Sequence, residues 1–312
     1  MSTFSFASTT DEVLADVDLA GSTVLITGTS AGLGVETARS VAAAGARVLG
    51  VVRDADKARA NLEAAGAEGV ELFEGDLASL DSVRSVADEV LASGVERLDV
   101  LIANAGIMGC PQGATADGFE LQFGTNHLGH FVLVNRLLPL LLTGGPARVV
   151  MLSSAGHRFS DVSLDDPNFE HTPYDPWVSY GRAKTANVLF AVELDRRLRD
   201  RGLRATAIHP GGIITELGRH LTEESMGALI EARGERELVW KTVPQGAATS
   251  VWAGFVADAD EVGGRYCEDC AVAPVIDDTD VSPGVMRYAL DPTTAAGLWT
   301  LSEQLVGETF AP

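Results

Sequence analysis

Two residues one helical turn apart set the chemistry this sequence can do. Tyr180 and Lys184 stand at i and i+4 in Tyr180-Gly181-Arg182-Ala183-Lys184, a spacing that puts both on one face of a helix. A free tyrosine releases its proton near a pH of about 10. An ammonium beside it favours the phenolate and lowers that value, so the phenol can give and take a proton near neutral pH. The chain has three lysines, Lys57, Lys184 and Lys241, against twenty arginines, so Lys184 is not filler on a lysine-rich surface. Ser153-Ser154 closes the strand-like run Arg148–Leu152, and a hydroxyl there can donate to a carbonyl oxygen that gains negative charge. Asn126 lies in Thr125-Asn126-His127-Leu128-Gly129-His130, inside a helical pattern where asparagine is a poor interior residue. That choice suggests a task, such as holding a water that links Lys184 to solvent. His127 and His130 read as structural, and no ligand spacing around them suggests a metal.

A second constellation fits a dinucleotide. Thr27-Gly28-Thr29-Ser30-Ala31-Gly32-Leu33-Gly34 follows one apolar run and opens a helical pattern. Glycines there let the backbone turn tightly towards a pyrophosphate, and a helix N-terminus offers free N–H groups and a positive dipole end. Cofactor contacts are expected from Gly28, Ser30, Ala31, Gly32, Leu33 and Gly34. The next strand-like run ends Val51-Val52-Arg53-Asp54. An arginine suits a ribose 2′-phosphate and so NADP, whereas an acid at this place suits NAD. Arg53 favours NADP. Asp54 leaves NAD open, unless it serves as the N-cap of the following helix. Asp76-Leu77 could contact the adenine. Asn104-Ala105-Gly106 would let the chain pass close to the cofactor. In His209-Pro210-Gly211-Gly212-Ile213-Ile214-Thr215, Pro210 and Gly211 end a strand on the cofactor side. Ile213 could press on the nicotinamide, and Thr215 could bond its carboxamide or the pyrophosphate.

The elements that must position these groups alternate. Strand-like runs are Thr23–Thr27, Arg47–Val52, Val70–Glu74, Val100–Ala103, Arg148–Leu152, Ala205–His209 and Arg265–Cys267. Helical patterns fill the gaps, roughly Gly34–Ala44, Lys57–Ala65, Leu80–Ala92, Phe119–Leu142, Tyr180–Arg201 and Gln245–Phe255. The order predicts an α/β fold: a single-domain, Rossmann-type, doubly wound parallel sheet of about seven strands with helices on both faces. Residues 1–20 read as an N-terminal extension with one short helix capped by Thr9 or Thr10, ahead of a catalytic domain over 21–312. Within it, an insert at about 156–178 and a substrate lid at about 213–243 follow strand ends, where open α/β sheets bind ligands. Leu217, Met226, Leu229 and Trp240 are the expected apolar lining, with Ser154 and Tyr180 at the reacting end.

The formal net charge is −21, which disfavours nucleic acid and anionic membranes as partners. No apolar run is long enough to span a bilayer, and residues 1–18 lack the pattern of a signal peptide; a cytoplasmic location is the expectation. Cys110, Cys267 and Cys270 do not form a disulfide framework, and Cys267-x-x-Cys270 lacks the further ligands that zinc would need.

Taken together, these stretches resemble the short-chain dehydrogenase/reductase family: the Thr-Gly-x-x-x-Gly-x-Gly turn, Asn104-Ala105-Gly106, Asn126, Ser154, and Tyr180 with Lys184 come in the family's order over residues 20–290. The resemblance implies that Tyr180 is the general acid/base. Lys184 would lower its pKa and hold the nicotinamide ribose. Ser154, the serine before Ala155-Gly156, would polarise the carbonyl, and Asn126 would complete a proton relay. The sequence is also similar to the retinol-dehydrogenase-like branch, which includes WW-domain oxidoreductases. Asn126-His127-Leu128-Gly129-His130-Phe131, Ser153-Ser154-Ala155-Gly156-His157, His209-Pro210-Gly211 and Tyr266-Cys267-Glu268-Asp269-Cys270 carry that likeness. Thr29-Ser30-Ala31 in the turn and the lack of a membrane anchor depart from it, towards a soluble bacterial relative. The expected activity is hydride transfer between NADP(H) and the alcohol or carbonyl of a small apolar substrate, steroid-, aromatic- or retinoid-like. The alternatives are an NAD-dependent alcohol dehydrogenase of the same family and a non-catalytic dinucleotide-binding sensor or scaffold. The family's habit of pairing through the helices at Phe119–Leu142 and Tyr180–Arg201 implies a homodimer or homotetramer.

Overall fold

A computed structural model describes residues 4–215, 217–218, 239–278 and 283–310. Seven strands line up in parallel in the order β3-β2-β1-β4-β5-β6-β7, and an eighth, β8, closes the edge antiparallel to β7. They are β1 (Thr23–Thr27), β2 (Arg47–Val52), β3 (Glu71–Glu74), β4 (Val100–Ala103), β5 (Ala147–Leu152), β6 (Leu203–His209), β7 (Tyr266–Glu268) and β8 (Ala271–Val272). Strand order reverses between β1 and β4, which leaves a crevice beyond their C-terminal ends. Side chains alternate across the sheet, and each face builds its own core. Leu25, Leu49, Leu101, Val149 and Ala205 face one way. Val24, Ile26, Val48, Ile102, Val150 and Ile208 face the other.

The first face is covered by α4 (Leu80–Ala92), by a helical run from Leu121 to Leu141, and by α8 (Pro176–Leu198). The second is covered by α1 (Thr10–Leu14), α2 (Gly32–Ala43), α3 (Ala55–Ala64) and α9 (Val243–Val251). Thr9 caps α1 in a reciprocal box with Glu12, which satisfies two otherwise unpaired N–H groups. The run from 121 to 141 is not the single helix its periodicity suggests. α5 (Leu121–Phe123) passes through a π-helical turn, Gly124–Leu128, into α6 (Gly129–Arg136), and α7 (Leu138–Leu141) follows a break at Leu137. Pro139 in that last piece explains the break. α8 also begins earlier than its expected start at Tyr180. Asp175 accepts from the N–H groups of Trp177 and Val178, and Pro176 opens the helix. Tyr180 and Lys184 therefore stand inside a regular helix, clear of its fraying end.

The last helix, α11 (Pro292–Val306), is not among the helical patterns named from the sequence; it follows the short α10 (Ala259–Val262) and the small parallel pair β9 (Val275–Ile276) and β10 (Val285–Met286). It lies on α8 and α6: Trp299 packs against Phe131 and Phe190, with ring centres 5.1 and 5.8 Å apart. Cys267 and Cys270 are buried thiols at the β7–β8 turn. No group of three or more His, Cys, Asp or Glu among the described residues could hold a metal. No described helix is long and apolar enough to cross a membrane.

Candidate active site

One cleft of about 1330 Å³ opens at the C-terminal ends of the parallel strands and gathers most of the expected site. Its lining includes Gly28, Ser30, Ala31, Gly32, Leu33, Gly34, Arg53, Asp54, Asp76, Leu77, Asn104, Ala105 and Gly106. Ser154, Tyr180, Lys184, Pro210, Gly211, Ile213, Thr215, Leu217 and Trp240 line it as well. Met226 and Leu229 lie outside the described residues.

At one end, α2 begins at Ala31 with no side-chain cap. Its first N–H groups are left facing the cleft, which is what an anionic pyrophosphate needs. The glycines make the approach close: a Cβ on Gly34 would stand 2.1 Å from the Gly28 carbonyl oxygen. Asn104 Nδ2 donates to the Thr27 carbonyl at 2.8 Å, tying the β4 loop to the turn. Asn61, which the sequence reading passed over, donates to the Ser30 carbonyl at 2.7 Å and fixes the turn from the α3 side. These features fit a dinucleotide. Asp54 is the N-cap of α3, accepting from Lys57 N at 2.9 Å, and Arg53 and Lys57 both border the ribose end of the cleft. Asp76 accepts from Ala78 N at 3.0 Å.

At the other end stand the proton-handling groups. Tyr180 is buried, with its ring against Gly156; a Cβ there would come within 2.5 Å of the tyrosine's Cε1. The nearby Ser154 hydroxyl favours the phenolate form of Tyr180, but burial outweighs it and holds the phenol up at about 12. Burial also lowers the Lys184 ammonium to about 8. In the unliganded protein burial therefore dominates the tyrosine's proton affinity. Lys184 Nζ lies 5.7 Å from the ring centre and donates to the Leu152 carbonyl at 3.0 Å. In a dry site the cost of charging the phenol exceeds the pull of a cation at that distance. The arrangement holds a neutral phenol poised to donate, with a serine hydroxyl beside it.

The serine pair is resolved by its partners. Ser153 donates its hydroxyl to the Lys184 carbonyl at 2.8 Å and braces α8. Ser154 Oγ accepts from Gly156 N at 3.0 Å and keeps its proton free for the cleft. Asn126 sits in the π-helical turn, where both ends of its amide engage the main chain of Ile107, each at 2.9 Å. Its side chain thus clamps the loop after β4.

Two buried histidines frame the site, and the sequence reading treated neither as part of it. His157 donates from Nδ1 to the Ser154 carbonyl at 2.7 Å, and its Nε2 accepts from Met286 N at 3.1 Å. His130 donates from Nδ1 to the Asn126 carbonyl, and its Nε2 accepts from the Thr27 hydroxyl, each at 2.9 Å. The His157 pattern, accepting from a backbone N–H, needs a neutral ring, and burial lowers both histidines to about 4. The signal available was the pattern Asn-x-x-x-His, whose i,i+4 spacing brings a side chain back to a carbonyl one turn away.

The comparison with known proteins decides the family. The short chain dehydrogenase family profile matches residues 22–226. The chain belongs to the short-chain dehydrogenase family. Retinol dehydrogenase 14 of Mus musculus is 40% identical over 305 residues, covering 92% of this chain and 86% of the relative. An uncharacterised protein from Mycobacterium paratuberculosis has a crystal structure with a TM-score of 0.73 and 38% identity, covering 98% of this chain and all of that one. The RhlG/NADP active-site complex of Pseudomonas aeruginosa matches with a TM-score of 0.63 and 26% identity, over 80% of this chain and 95% of the other. This short-chain dehydrogenase therefore sits in the retinol-dehydrogenase branch, as an oxidoreductase that uses a nicotinamide dinucleotide on alcohol or carbonyl groups.

Proposed function

We propose that this short-chain dehydrogenase transfers a hydride between NADP(H) and the alcohol or carbonyl carbon of a small apolar substrate. The observation that carries the reading is the adjacency of the Tyr180 and Ser154 hydroxyls in the same cleft as an uncapped helix N-terminus built for a pyrophosphate. The bound dinucleotide supplies the hydride or accepts it. Tyr180 gives a proton to the carbonyl oxygen during reduction and takes it back during oxidation. Ser154 donates a hydrogen bond to the same oxygen as charge develops on it. Lys184 holds the nicotinamide ribose and keeps a positive charge behind the phenol. Asn126 fixes the loop after β4 that this ribose would lie against. Ile213 and Thr215 close over the turn from the opposite side, where the Thr215 methyl would meet a Cβ on Gly32 at 3.3 Å.

Preference for the 2′-phosphate is supported by two cations at the ribose end, Arg53 and Lys57, and by the use of Asp54 as a helix cap. Its use as a cap leaves the carboxylate poorly placed to select a bare ribose. A relative solved as an NADP complex agrees with this choice. The apolar substrate class is supported by Met108, Leu121, Phe159, Trp177 and Trp240 on the cleft wall.

The test uses the full chain with NADPH and a panel of apolar ketones. Tyr180→Phe is expected to lower kcat by about 10²–10⁴-fold while NADPH still binds, read by nucleotide fluorescence. Full activity in that variant would overturn the mechanism. Arg53→Ser is expected to lower kcat/KM for NADPH by about tenfold or more, the worth of a charge-assisted hydrogen bond, and to leave NADH little changed. Equal losses with both cofactors would argue against the 2′-phosphate contact.

A further inference from the structure

Residues 4–8, ahead of the first helix, reach the cleft. Ser8 N–H donates to the Ser5 carbonyl at 3.1 Å, which closes a turn with Phe6 and Ala7 at its tip. The Phe6 ring lines the same cleft as Gly211, Gly212 and Asp269. The turn is held on both sides of that tip. Before it, Phe4 packs on the core of the second sheet face. After it, Gln245 Nε2 in the first turn of α9 donates to the Ala7 carbonyl at 3.1 Å, and the Thr10 hydroxyl bonds Glu36 of α2.

Lys241 joins the tip to two other parts of the cleft wall. Its side chain is 1% exposed, which a cation tolerates only with partners. Its Nζ lies 4.7 Å from the centre of the Phe6 ring and 2.7 Å from Asp269 Oδ1. Its backbone N–H donates to the Gly212 carbonyl at 2.8 Å. Its methylenes cover Gly211, where a Cβ would stand 2.7 Å from Lys241 Cδ. Gly211 has φ of 98°, a conformation that favours glycine, so the loop after β6 turns sharply under the lysine. The same loop runs on to Ile213, which is packed on α9: a Cβ on Gly246 would come within 2.6 Å of Ile213 Cγ1. Asp269 and Cys270 at the β7–β8 turn have φ of 53° and 57°, a left-handed backbone that is strained for side chains other than glycine. That backbone sends Cys270 into the second core and Asp269 to Lys241. The lysine thus links the N-terminal turn, the loop after β6 and the β7–β8 turn.

We propose that the N-terminal turn belongs to the nicotinamide site, with Phe6 and Lys241 as positioning residues that hold the loop after β6 in its cofactor-binding shape. The proposal rests on the reading of Pro210, Gly211, Ile213 and Thr215 as the loop that meets the cofactor. A cation over an aromatic face is held more strongly when both are withdrawn from water, and Asp269 fixes the direction in which Nζ points. A loop braced before the cofactor arrives saves an ordering cost on binding. Loosening the brace lowers affinity in proportion to the time the loop spends out of place. The adenine half of the dinucleotide would meet Arg53 and the glycine turn instead, and gains nothing from this brace.

The experiment measures binding of NADPH, by its fluorescence, and of 2′,5′-ADP, its adenine half, by calorimetry, to the full chain and to variants. Phe6→Ala, Lys241→Met and removal of residues 2–8, which leaves the Thr9 cap of α1 in place, are compared with the wild type. Each is expected to raise Kd for NADPH by about tenfold and to leave Kd for 2′,5′-ADP within about twofold. Phe6→Tyr keeps the aromatic face and is expected to bind NADPH within about twofold of the wild type. The adenine half reports folded sites, so a variant that merely loses structure loses both ligands alike. Three results would overturn the inference and leave residues 4–8 as a support of the fold alone: unchanged NADPH affinity in Phe6→Ala, a loss in Phe6→Tyr as large as in Phe6→Ala, or equal losses of both ligands. Failure of the wild type to bind NADPH or its adenine half would overturn the proposed use of NADP(H), and the inference with it.

Discussion

Ser153 and Ser154 are neighbours in sequence with hydroxyls that do different work. Ser153 is committed to the Lys184 carbonyl, so Ser153→Ala is expected to cost about 1 kcal/mol of stability and to keep kcat within a few-fold. Ser154→Ala is expected to lower kcat by about 10²–10³-fold, the usual worth of one donor to a developing oxyanion. Steady-state kinetics beside urea melts separate the two. His157 positions that serine through its carbonyl. His157→Asn, which keeps a donor at the place of Nδ1, is expected to retain more of kcat than His157→Phe, at similar KM for NADPH. Proton handling should also show in the pH profile. Lys184 loses its proton near 8 in the unliganded protein, whereas the phenol keeps its own up to about 12. The kcat/KM for carbonyl reduction, which reports the free protein, is therefore expected to be flat through neutral pH and to fall as pH rises past about 8. Lys184→Arg keeps its charge at all these pH values, so whatever activity it retains should lose that descending limb.

At the scale of elements, the strands and the glycine turn were legible because their signals are local. Continuous apolar runs such as Val24–Ile26 and Val48–Val52 mark strands buried on both faces, and β1 and β2 span the expected residues. The π-helical turn under Asn126 was not legible, since one extra residue in a helix leaves an apolar face looking much the same. The C-terminal helix was readable and missed: Asp291 caps it, Pro292 opens it and Gly307 ends it with φ of 68°, the helix signals used elsewhere in the chain. The tyrosine's raised proton affinity was not legible, because burial depends on what packs around a residue. The same burial has a consequence for the helical run 121–141 and the serine turn. His127, His130 and His157 are neutral, lowered to about 3, 4 and 4 by burial. Unfolded histidine titrates near about 6.5. Each ring therefore contributes stability that is present above that value and is lost as pH falls towards its folded value. Between pH of about 7 and about 5 the loss is roughly 2 kcal/mol per ring. Urea midpoints are expected to drop over that window, and His130→Gln should make the drop smaller. A midpoint that is flat with pH in the wild type would show that these rings are already open to protonation.

At the scale of the whole molecule, α11 changes what the helical face of α6 and α8 can do. The family resemblance implied that this face pairs with a second copy. In the structure the chain's own C-terminal helix covers it. Trp299 packs on Phe131 and Phe190, Phe310 adds a contact to Phe131 at 5.6 Å between ring centres, and Arg197 stacks on Trp299 at 4.2 Å. Polar contacts fix the helix in place: His127 bonds Ser302 at 2.9 Å, and Glu308 pairs with Arg84 and Arg136 at 2.7 and 2.9 Å. A face already filled by aromatic packing and closed by ion pairs cannot also be an interface unless α11 leaves it, and that would expose the buried Leu298, Trp299 and Val306. Exposing such side chains costs about 1.5–3 kcal/mol each. Self-association through this face is therefore expected to be absent in the full chain. Removing residues 291–312 should bare Phe131 and Phe190 and produce a form that associates or precipitates, seen as a rise in mass by light scattering. Trp299→Ala should weaken the same packing by about 3–5 kcal/mol and move the protein in that direction. A full-length dimer whose copies cross-link through α6 or α8 would show that α11 does not hold this face, and the barrier to assembly argued from its aromatic packing would fall.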